Sequence, residues 1–176
     1  MKKILSTLVL TLIILSFGCP FNDTEKYIKD LKSENITVRN TAIYYVGKNK
    51  EKRAVPVLIE LLRNAQEKET KLNAIEALGK IGDSGSVDLL IAFLGEKENE
   101  IRIATIEALG KIKDPRAVKP LINLLKDKDV QFVAIWALGN IGDKSAIPAL
   151  TKLLNDPDKY VRYNASQSLK KIGSRL

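Results

Sequence analysis

The side chains that most often carry catalysis are scarce in this sequence. It contains no histidine and one cysteine, so Ser–His–Asp and Cys–His arrangements are excluded and the commonest metal ligand is missing. Glu76 and Glu107 occupy equivalent places in a repeated segment and could be imagined as a carboxylate pair for acid–base chemistry. Two solvated acids on a repeated surface position explain them better. The sequence predicts a protein that is not an enzyme and that uses no metal and no cofactor.

The segment that contains these two acids recurs along the chain. Its copies read TAIYYVGKNK, NAIEALGKIGD, TIEALGKIKD, AIWALGNIGD and a divergent NASQSLKKIGS. The anchoring position is occupied in turn by Gly47, Gly79, Gly110, Gly139 and Lys170, which gives steps of 29 to 32 residues. A fixed period of this length indicates a repeat architecture.

Each copy contains two apolar segments with helical rather than alternating spacing. The glycine of IGD suits a left-handed cap at the end of one helix, and the aspartate after it can cap the next. Asp114-Pro115 is such a cap followed by proline in the first turn. One helix pair cannot bury its own apolar face, whereas stacked pairs share a continuous core. The sequence predicts an all-α fold, an α-solenoid (α–α superhelix) of about five stacked helix pairs.

The consensus of the copies is V-R-x-x-A-x-x-A-L-G-x-I-G-D-x-x-A-V-P-x-L. It is carried by Val38-Arg39 with Ala42, Ile101-Arg102 with Ala108-Leu109-Gly110, Val130 with Ala134 and Ala137-Leu138-Gly139, and Val161-Arg162 with Ala165. This pattern resembles the HEAT repeat, in the short HEAT-like form named after the phycobilisome lyases. The departures are Lys71 and Gln131 in the arginine position, Thr105 for one alanine and Lys170 for the last glycine. The resemblance covers nearly everything after residue 23; it implies the fold and leaves the function open.

The resemblance also carries expectations about chemistry. Among HEAT-like enzymes, deoxyhypusine hydroxylase holds iron through repeated His-Glu pairs, which a chain without histidine cannot supply. The phycobilin lyases act on chromophore–cysteine linkages, and no separate motif for that activity occurs here. In HEAT repeats, the position of Arg39, Arg102 and Arg162 pairs with an acid near the preceding turn and forms a ladder between units. Glu96 and Asp156 stand six residues before Arg102 and Arg162.

The N-terminus has the pattern of a bacterial export signal. Met1-Lys2-Lys3 is followed by an uncharged run from Ile4 to Phe17, too short for a comfortable membrane span, and then by Cys19. This resembles the lipobox of bacterial lipoproteins, although Ser16 stands where leucine is usual. We expect a signal peptide over 1–18, a short tether over 19–22 behind a lipidated Cys19, and a repeat domain over 23–176. The alternative is ordinary cleavage before Cys19, which leaves a soluble periplasmic or secreted protein.

The net charge of +8 raises the question of nucleic acid or anionic membrane as partners. The lysines are scattered over connectors instead of forming one run, for example Lys48, Lys50, Lys52, Lys97, Lys113, Lys126, Lys128 and Lys144. We interpret them as a solvated surface. The sequence predicts no nucleic-acid partner.

The second helix of each unit has the features of a binding face. Counted from the glycine at 100° per residue, the positions of Val130, Ala134, Ala137 and Ile141 form one buried stripe. The positions seven and three residues before the glycine lie on the other side, and the HEAT resemblance puts this side on the concave surface. The predicted partner-binding residues are Tyr44, Leu72, Ile103, Phe132, Trp136, Tyr160 and Tyr163. The alternative is that neighbouring second helices bury these side chains against each other.

Together these observations predict a non-catalytic scaffold or adaptor for protein–protein interaction in the bacterial cell envelope, held at the membrane by a lipid on Cys19. Two alternatives stay open. One is an accessory lyase-like or chromophore-handling protein, and the other is a structural envelope component that associates with copies of itself. The sequence does not identify the partner.

Overall fold

The computed structural model describes residues 23–173. This part of the chain consists of α-helices joined by short loops and 3-10 turns, and it contains no strand. The first helices of the pairs are α1 (Asp23–Asp30), α3 (Val55–Asn64), α5 (Val87–Phe93), α7 (Val118–Asn123) and α9 (Ile147–Lys152). The second helices are α2 (Ile36–Lys48), α4 (Lys68–Ile81), α6 (Asn99–Ile112), α8 (Gln131–Ile141) and α10 (Lys159–Gly173).

The prediction of an all-α solenoid of stacked helix pairs is confirmed. Each second helix packs against the second helix of the next pair, in the order α2, α4, α6, α8 and α10, and each first helix packs against the second helix of its own pair. The core between the two layers is continuous and includes the fully buried side chains of Ile43, Leu58, Ile75, Leu78, Leu90, Ile106, Leu109, Leu121 and Ile135. Burial of each such side chain stabilises the fold by about 1.5–3 kcal/mol.

Within residues 23–173, no helix is both long enough and apolar enough to cross a membrane. The predicted signal peptide (1–18), the tether (19–22) and Cys19 lie outside the described residues.

The repeated glycine lets successive second helices approach closely. A Cβ atom built at Gly47 would lie 2.8 Å from the Cα atom of Ala77, and one at Gly79 would lie 2.8 Å from the Cα atom of Ala108. No side chain fits in that space, so the glycine of one repeat is matched to the alanine two residues before the glycine of the next repeat. The stripe predicted to be buried on α8 faces the preceding helix in this way, and Ala134 and Ala137 have no exposed surface.

The turns from one pair to the next follow the predicted capping pattern. Gly82 and Gly142 have φ values of 75° and 77° and end α4 and α8 in the left-handed conformation. The carboxylates of Asp83 and Asp143 each accept a hydrogen bond, of 2.8 Å, from the backbone N–H two residues later. Each bond caps the 3-10 turn that leads into the following first helix.

Candidate partner-binding surface

Four of the predicted residues form an exposed cluster on α8 and α10, which we call the aromatic strip. Its members are exposed to 42% (Phe132), 42% (Trp136), 60% (Tyr160) and 62% (Tyr163). Tyr44, at the other end of the stack on α2, is exposed to 52%. Large apolar side chains gathered on neighbouring helices with this much exposure are typical of interaction surfaces.

The remaining two predicted residues do not belong to an open surface. Leu72 and Ile103 are half-buried and pack against the core. On the helical wheel, the position seven residues before the glycine lies only about 20° from the glycine itself, and the glycine side of each helix faces the next second helix. Stacking therefore covers Leu72 and Ile103, as the alternative from the sequence described. Phe132 and Tyr163 occupy the same position in the last two repeats and stay exposed to 42% and 62%.

The indole ring of Trp136 is held by the preceding repeat. A Cβ atom at Gly110 would lie 2.9 Å from its Cζ3 atom, so the ring rests on the backbone of α6 while its other side meets solvent. Tyr44 is positioned by other aromatic rings. It makes an edge contact with Tyr45 at 5.3 Å between centroids, and Tyr45 stacks on Tyr27 at 4.5 Å.

Between Tyr44 and Trp136 runs a groove of about 560 Å³ along the C-terminal halves of α2, α4, α6 and α8. Its floor contains the glycine positions of three repeats, Gly47, Gly79 and Gly110. We call it the lysine groove, because its walls are formed largely by Lys48, Lys50, Lys80, Lys111 and Lys113. Asn140 completes the lining beside Trp136, and the groove-lining residues include no acid.

The five lysines differ in their electrostatic environment. Lys80 pairs with Glu76 at 2.7 Å and Lys111 with Glu107 at 3.7 Å, each within its own helix. Lys48 and Lys80 lie over the ring of Tyr44, 6.0 and 5.4 Å from its centroid. Within the described part of the chain, no carboxylate lies within ion-pair distance of Lys48, Lys50 or Lys113. The structure therefore places Glu76 and Glu107 in separate exposed ion pairs beside a basic groove.

Two of these lysines stand in an unfavourable backbone conformation. Lys50 and Lys113 have φ values of 54° and 62°, at the place where Gly82 and Gly142 end the corresponding helices. A side chain in the left-handed region costs roughly 1–2 kcal/mol relative to the right-handed one. Sequence reasoning missed this feature, although the change from GKIGD to GKNK and GKIKD was its signal.

The arginine positions make contacts between and within repeats. Arg39 donates to the backbone carbonyl of Ser33 at 2.8 Å and lies 3.5 Å from the carboxylate of Glu67 in the following repeat. Arg102 forms an ion pair with Asp127, which is also in the following repeat.

The partners expected from the resemblance need correction. Arg102 pairs with Asp127 instead of Glu96. Arg162 donates to the backbone carbonyl of Asp156 at 2.7 Å and not to its carboxylate. At Arg162 the group that the guanidinium reaches six residues back is a backbone carbonyl just before α10, whereas at Arg102 the acid comes from the loop of the next repeat.

A second set of arginines, which sequence reasoning missed, lies at the opposite ends of the second helices. Arg116 donates to Asp114 at 2.8 Å, to Asp88 of the preceding repeat at 2.9 Å and to the backbone carbonyl of Ser84 at 2.7 Å. Arg53 likewise joins Glu51 at 3.0 Å and Glu25 of the preceding repeat at 2.5 Å.

These hydrogen bonds shift the titration of their carboxylates. The side-chain hydrogen bond from Arg116 holds the pKa of Asp114 below its ordinary value, and Arg53 does the same for the pKa of Glu51. The hydrogen bond from Arg102 lowers the pKa of Asp127. Hydrogen bonding from Ser145 lowers the pKa of Asp143. Asp114, Glu51 and Asp127 bind arginines, and Asp143 caps a turn. A structural contact therefore explains the lowered pKa of each carboxylate.

Residues 23–173 contain no cluster of three or more potential metal ligands of the His, Cys, Asp or Glu type.

Known proteins are similar to this chain chiefly in fold. The profile of the HEAT-repeat family matches residues 55–134 and 119–175. A chain from the complex of CpcE and CpcF of phycocyanin lyase from Nostoc sp. PCC7120 is 27% identical, with a TM-score of 0.73, over 89% of this chain and 67% of that one. No curated protein matches.

Two further structures come from protein engineering. One engineered protein is 26% identical, with a TM-score of 0.66, over 88% of this chain and 81% of its own. A designed armadillo repeat protein, solved in complex with the peptide (KR)4, is 21% identical, with a TM-score of 0.66, over 83% of this chain and 80% of its own. At that identity the likeness is one of fold alone.

Proposed function

Because the chain belongs to the HEAT-repeat family, we propose that it is a non-catalytic scaffold that binds a protein partner through the surface of its second helices. The observation that carries the proposal is the exposure of the aromatic strip, from 42% at Phe132 to 62% at Tyr163. Aromatic side chains dominate the energy of protein interfaces because they bury large areas and lose little conformational entropy. Leaving several of them in water on adjacent helices is unfavourable unless a partner covers them.

The form of the surface supports an elongated partner. The aromatic strip continues into the lysine groove, so a helix or an extended segment could lie across several repeats. A designed armadillo repeat protein of similar fold binds a peptide. Trp136, fixed on Gly110, would act as the central anchor, since a side chain that is already held in place loses little freedom on binding.

We further propose that the protein is exported and works at the bacterial envelope, anchored by a lipid on Cys19. The support is the pattern of the first nineteen residues. Mass spectrometry of the N-terminal peptide from the membrane fraction tests the anchor. A Cys19→Ser variant should move to the soluble fraction, and an unmodified cysteine in the wild-type peptide would favour the soluble exported form.

A second candidate function is an accessory lyase-like or chromophore-handling protein, for which the support is the 27% identity to a chain of the phycocyanin lyase complex. Absorbance of the purified protein tests this candidate, because a bound pigment would give a visible band.

Self-association through the aromatic strip is a further alternative, and it is tested by measuring the molecular mass of the protein in solution at several concentrations. A monomer at all concentrations argues against it.

The binding surface itself is tested by site-specific photo-crosslinking in the full chain. A photoreactive side chain at position 163 should form a discrete adduct in cells, whereas the same group at position 154 should not. Leu154 is the matched control because it is exposed to 38% but lies in the turn that follows α9. The double variant Phe132→Ala with Tyr163→Ala should lose the partner in affinity capture, and Leu154→Ala should retain it.

These variants must first melt like the wild type. If the double variant captures the same partner as the wild type, the aromatic strip is a packing feature and the proposal fails.

A further inference from the structure

We propose that the lysine groove binds an extended acidic segment of the protein partner. This inference rests on the proposed function, because it specifies the chemistry of the partner on the same face. It adds a second kind of contact, since the aromatic strip supplies apolar anchors and the lysine groove supplies charge.

The charge of the groove is only partly compensated within residues 23–173. Five lysines line it, no acid does, and three of the lysines have no carboxylate within ion-pair distance. The pairs of Lys80 with Glu76 and Lys111 with Glu107 are solvent-exposed. Exposed pairs of this kind are weak, so a ligand carboxylate can replace the glutamate at little cost.

Helix capping explains only part of this charge. Lys48, Lys80 and Lys111 lie in the last turns of their helices, where a cation is favoured by the helix dipole. Lys50 and Lys113 lie beyond the helix ends, in a conformation that glycine supplies without strain at Gly82 and Gly142. The turn therefore does not require a lysine at these two positions. Both of these side chains nevertheless line the groove.

The spacing of the lysines suits an extended peptide. Packed helices lie 8–10 Å apart, so equivalent lysines of successive repeats recur about every 10 Å. A segment in the polyproline II conformation has three residues per turn and advances about 3.1 Å per residue, so every third side chain lies on one face and can meet a new repeat. Tyr44 on α2 and Trp136 on α8 line the groove at its two ends, so an extended segment that meets both aromatic rings spans four second helices.

The same geometry argues against single-stranded nucleic acid. Single-stranded nucleic acid is bound by aromatic side chains distributed along the backbone path so that successive bases stack, whereas the aromatic residues here stand only at the ends of the groove. Lys48, Lys50, Lys111 and Lys113 are exposed, so an anionic membrane is one of the outcomes that the test distinguishes.

The test uses the full chain and a fluorescein-labelled octapeptide of alternating Asp and Glu, measured by anisotropy at low salt. An octapeptide of alternating Lys and Arg is the matched control. We expect the acidic peptide to bind, the basic one not to bind, and the affinity to fall as salt screens the groove.

The decisive variant is Lys50→Gly with Lys113→Gly, which removes two charges and also removes the strain of the left-handed backbone. It should raise the melting temperature and weaken binding of the acidic peptide by about tenfold, the order expected for two surface charges near the ligand. Lys97→Gln with Lys126→Gln is the control, because it removes the same charge from the loops at the other ends of the second helices. This control should bind like the wild type.

The inference is overturned if the acidic peptide does not bind, or if both double variants weaken it equally. It is also overturned if oligothymidine, or vesicles of phosphatidylcholine and phosphatidylglycerol, bind through Lys50 and Lys113 and the peptide does not. A partner that crosslinks at position 163 without any binding of acidic peptide would leave the proposed function standing and remove only this inference. If the acidic peptide binds through the lysines but no partner is captured through the aromatic strip, the lysine groove stands as a binding site and the proposed role of the aromatic strip fails.

Discussion

The indole of Trp136 rests on Gly110 of the preceding repeat, at a place where an added Cβ atom would lie 2.9 Å from the Cζ3 atom of the ring. The same Cβ would lie 3.0 Å from the Cα atom of Ala137. One glycine thus serves both the stacking of α6 on α8 and the placement of the aromatic anchor. Packing of the solenoid and geometry of the binding surface are therefore coupled at this contact.

Gly110→Ala should destabilise the fold by about 1–3 kcal/mol, because the added methyl group meets backbone as well as the ring. Urea unfolding followed by the fluorescence of Trp136, the one tryptophan of the sequence, measures the loss. The emission maximum should also shift as the ring is displaced towards solvent. Gly173→Ala is the control, since nothing lies within 4 Å of its added Cβ. A Gly110→Ala variant as stable as Gly173→Ala would contradict the close approach of α6 and α8.

Lys50→Gly and Lys113→Gly should each stabilise the protein by about 1 kcal/mol, because glycine adopts a positive φ without the side-chain clash. Gly82→Ala should do the opposite by a similar amount. No atom lies within 4 Å of its added Cβ, so the loss would come from the φ of 75° alone. Urea midpoints of the three variants provide the comparison. If the lysine variants lose stability, the lysines contribute contacts that outweigh their strain.

Stability should fall in acid because of the capping and bridging carboxylates. The pKa values of Asp114, Asp127 and Asp143 are lowered below the ordinary 3.8. A lowered pKa means that the unfolded chain binds protons first as pH falls. The stabilisation is therefore complete above the ordinary value and is lost as pH drops through the folded one. The melting temperature should change little between pH 7 and about 5 and should decrease below about 4.

The control for this effect replaces the three aspartates with asparagine, which keeps the capping oxygen and removes the titrating proton. The triple variant should be less stable at pH 7 and should lose less on acidification than the wild type. If acidification lowers the melting temperature of both proteins equally, the effect comes from other carboxylates.

Arg102 and Asp127 should be energetically coupled, because they join the third repeat to the fourth. Arg102→Gln and Asp127→Asn should each lower the melting temperature, and the double variant should lose less than the sum of the two. The matched pair is Lys68 with Glu100, an exposed bridge of 2.5 Å between α4 and α6, for which we expect weaker coupling. Additive losses at Arg102 and Asp127 would show that the bridge contributes nothing beyond its separate residues.

Much of this protein was predictable because its fold is built from local patterns. The period marks the repeats, the apolar spacing marks both helices, and the IGD segment marks the turn. Each of these depends on residues within one repeat, and stacking only multiplies them. The buried stripe on α8 and the left-handed Gly82 and Gly142 follow from the same local rules.

The candidate binding surface could be predicted only in part. The position three residues before the glycine was correctly expected to face solvent at Tyr44 and Trp136. The position seven residues before it was expected to do the same, which holds at Phe132 and Tyr163. Leu72 and Ile103, at the same position, are half-buried. A helical wheel gives the direction of a side chain from its own axis and does not show where the next helix stands.

By itself, then, the sequence determined the helices, their turns and the period of the repeats, since these are set by spacing within about thirty residues. The tertiary structure decided which side chains of different repeats meet. Lys48, Lys80 and Lys111 are about thirty residues apart in the chain and look like scattered surface charges. Stacking of the second helices brings them into one groove, and it pairs Arg102 with an acid of the next repeat. The physical reason is that lysines at equivalent positions become neighbours only when the second helices pack side by side.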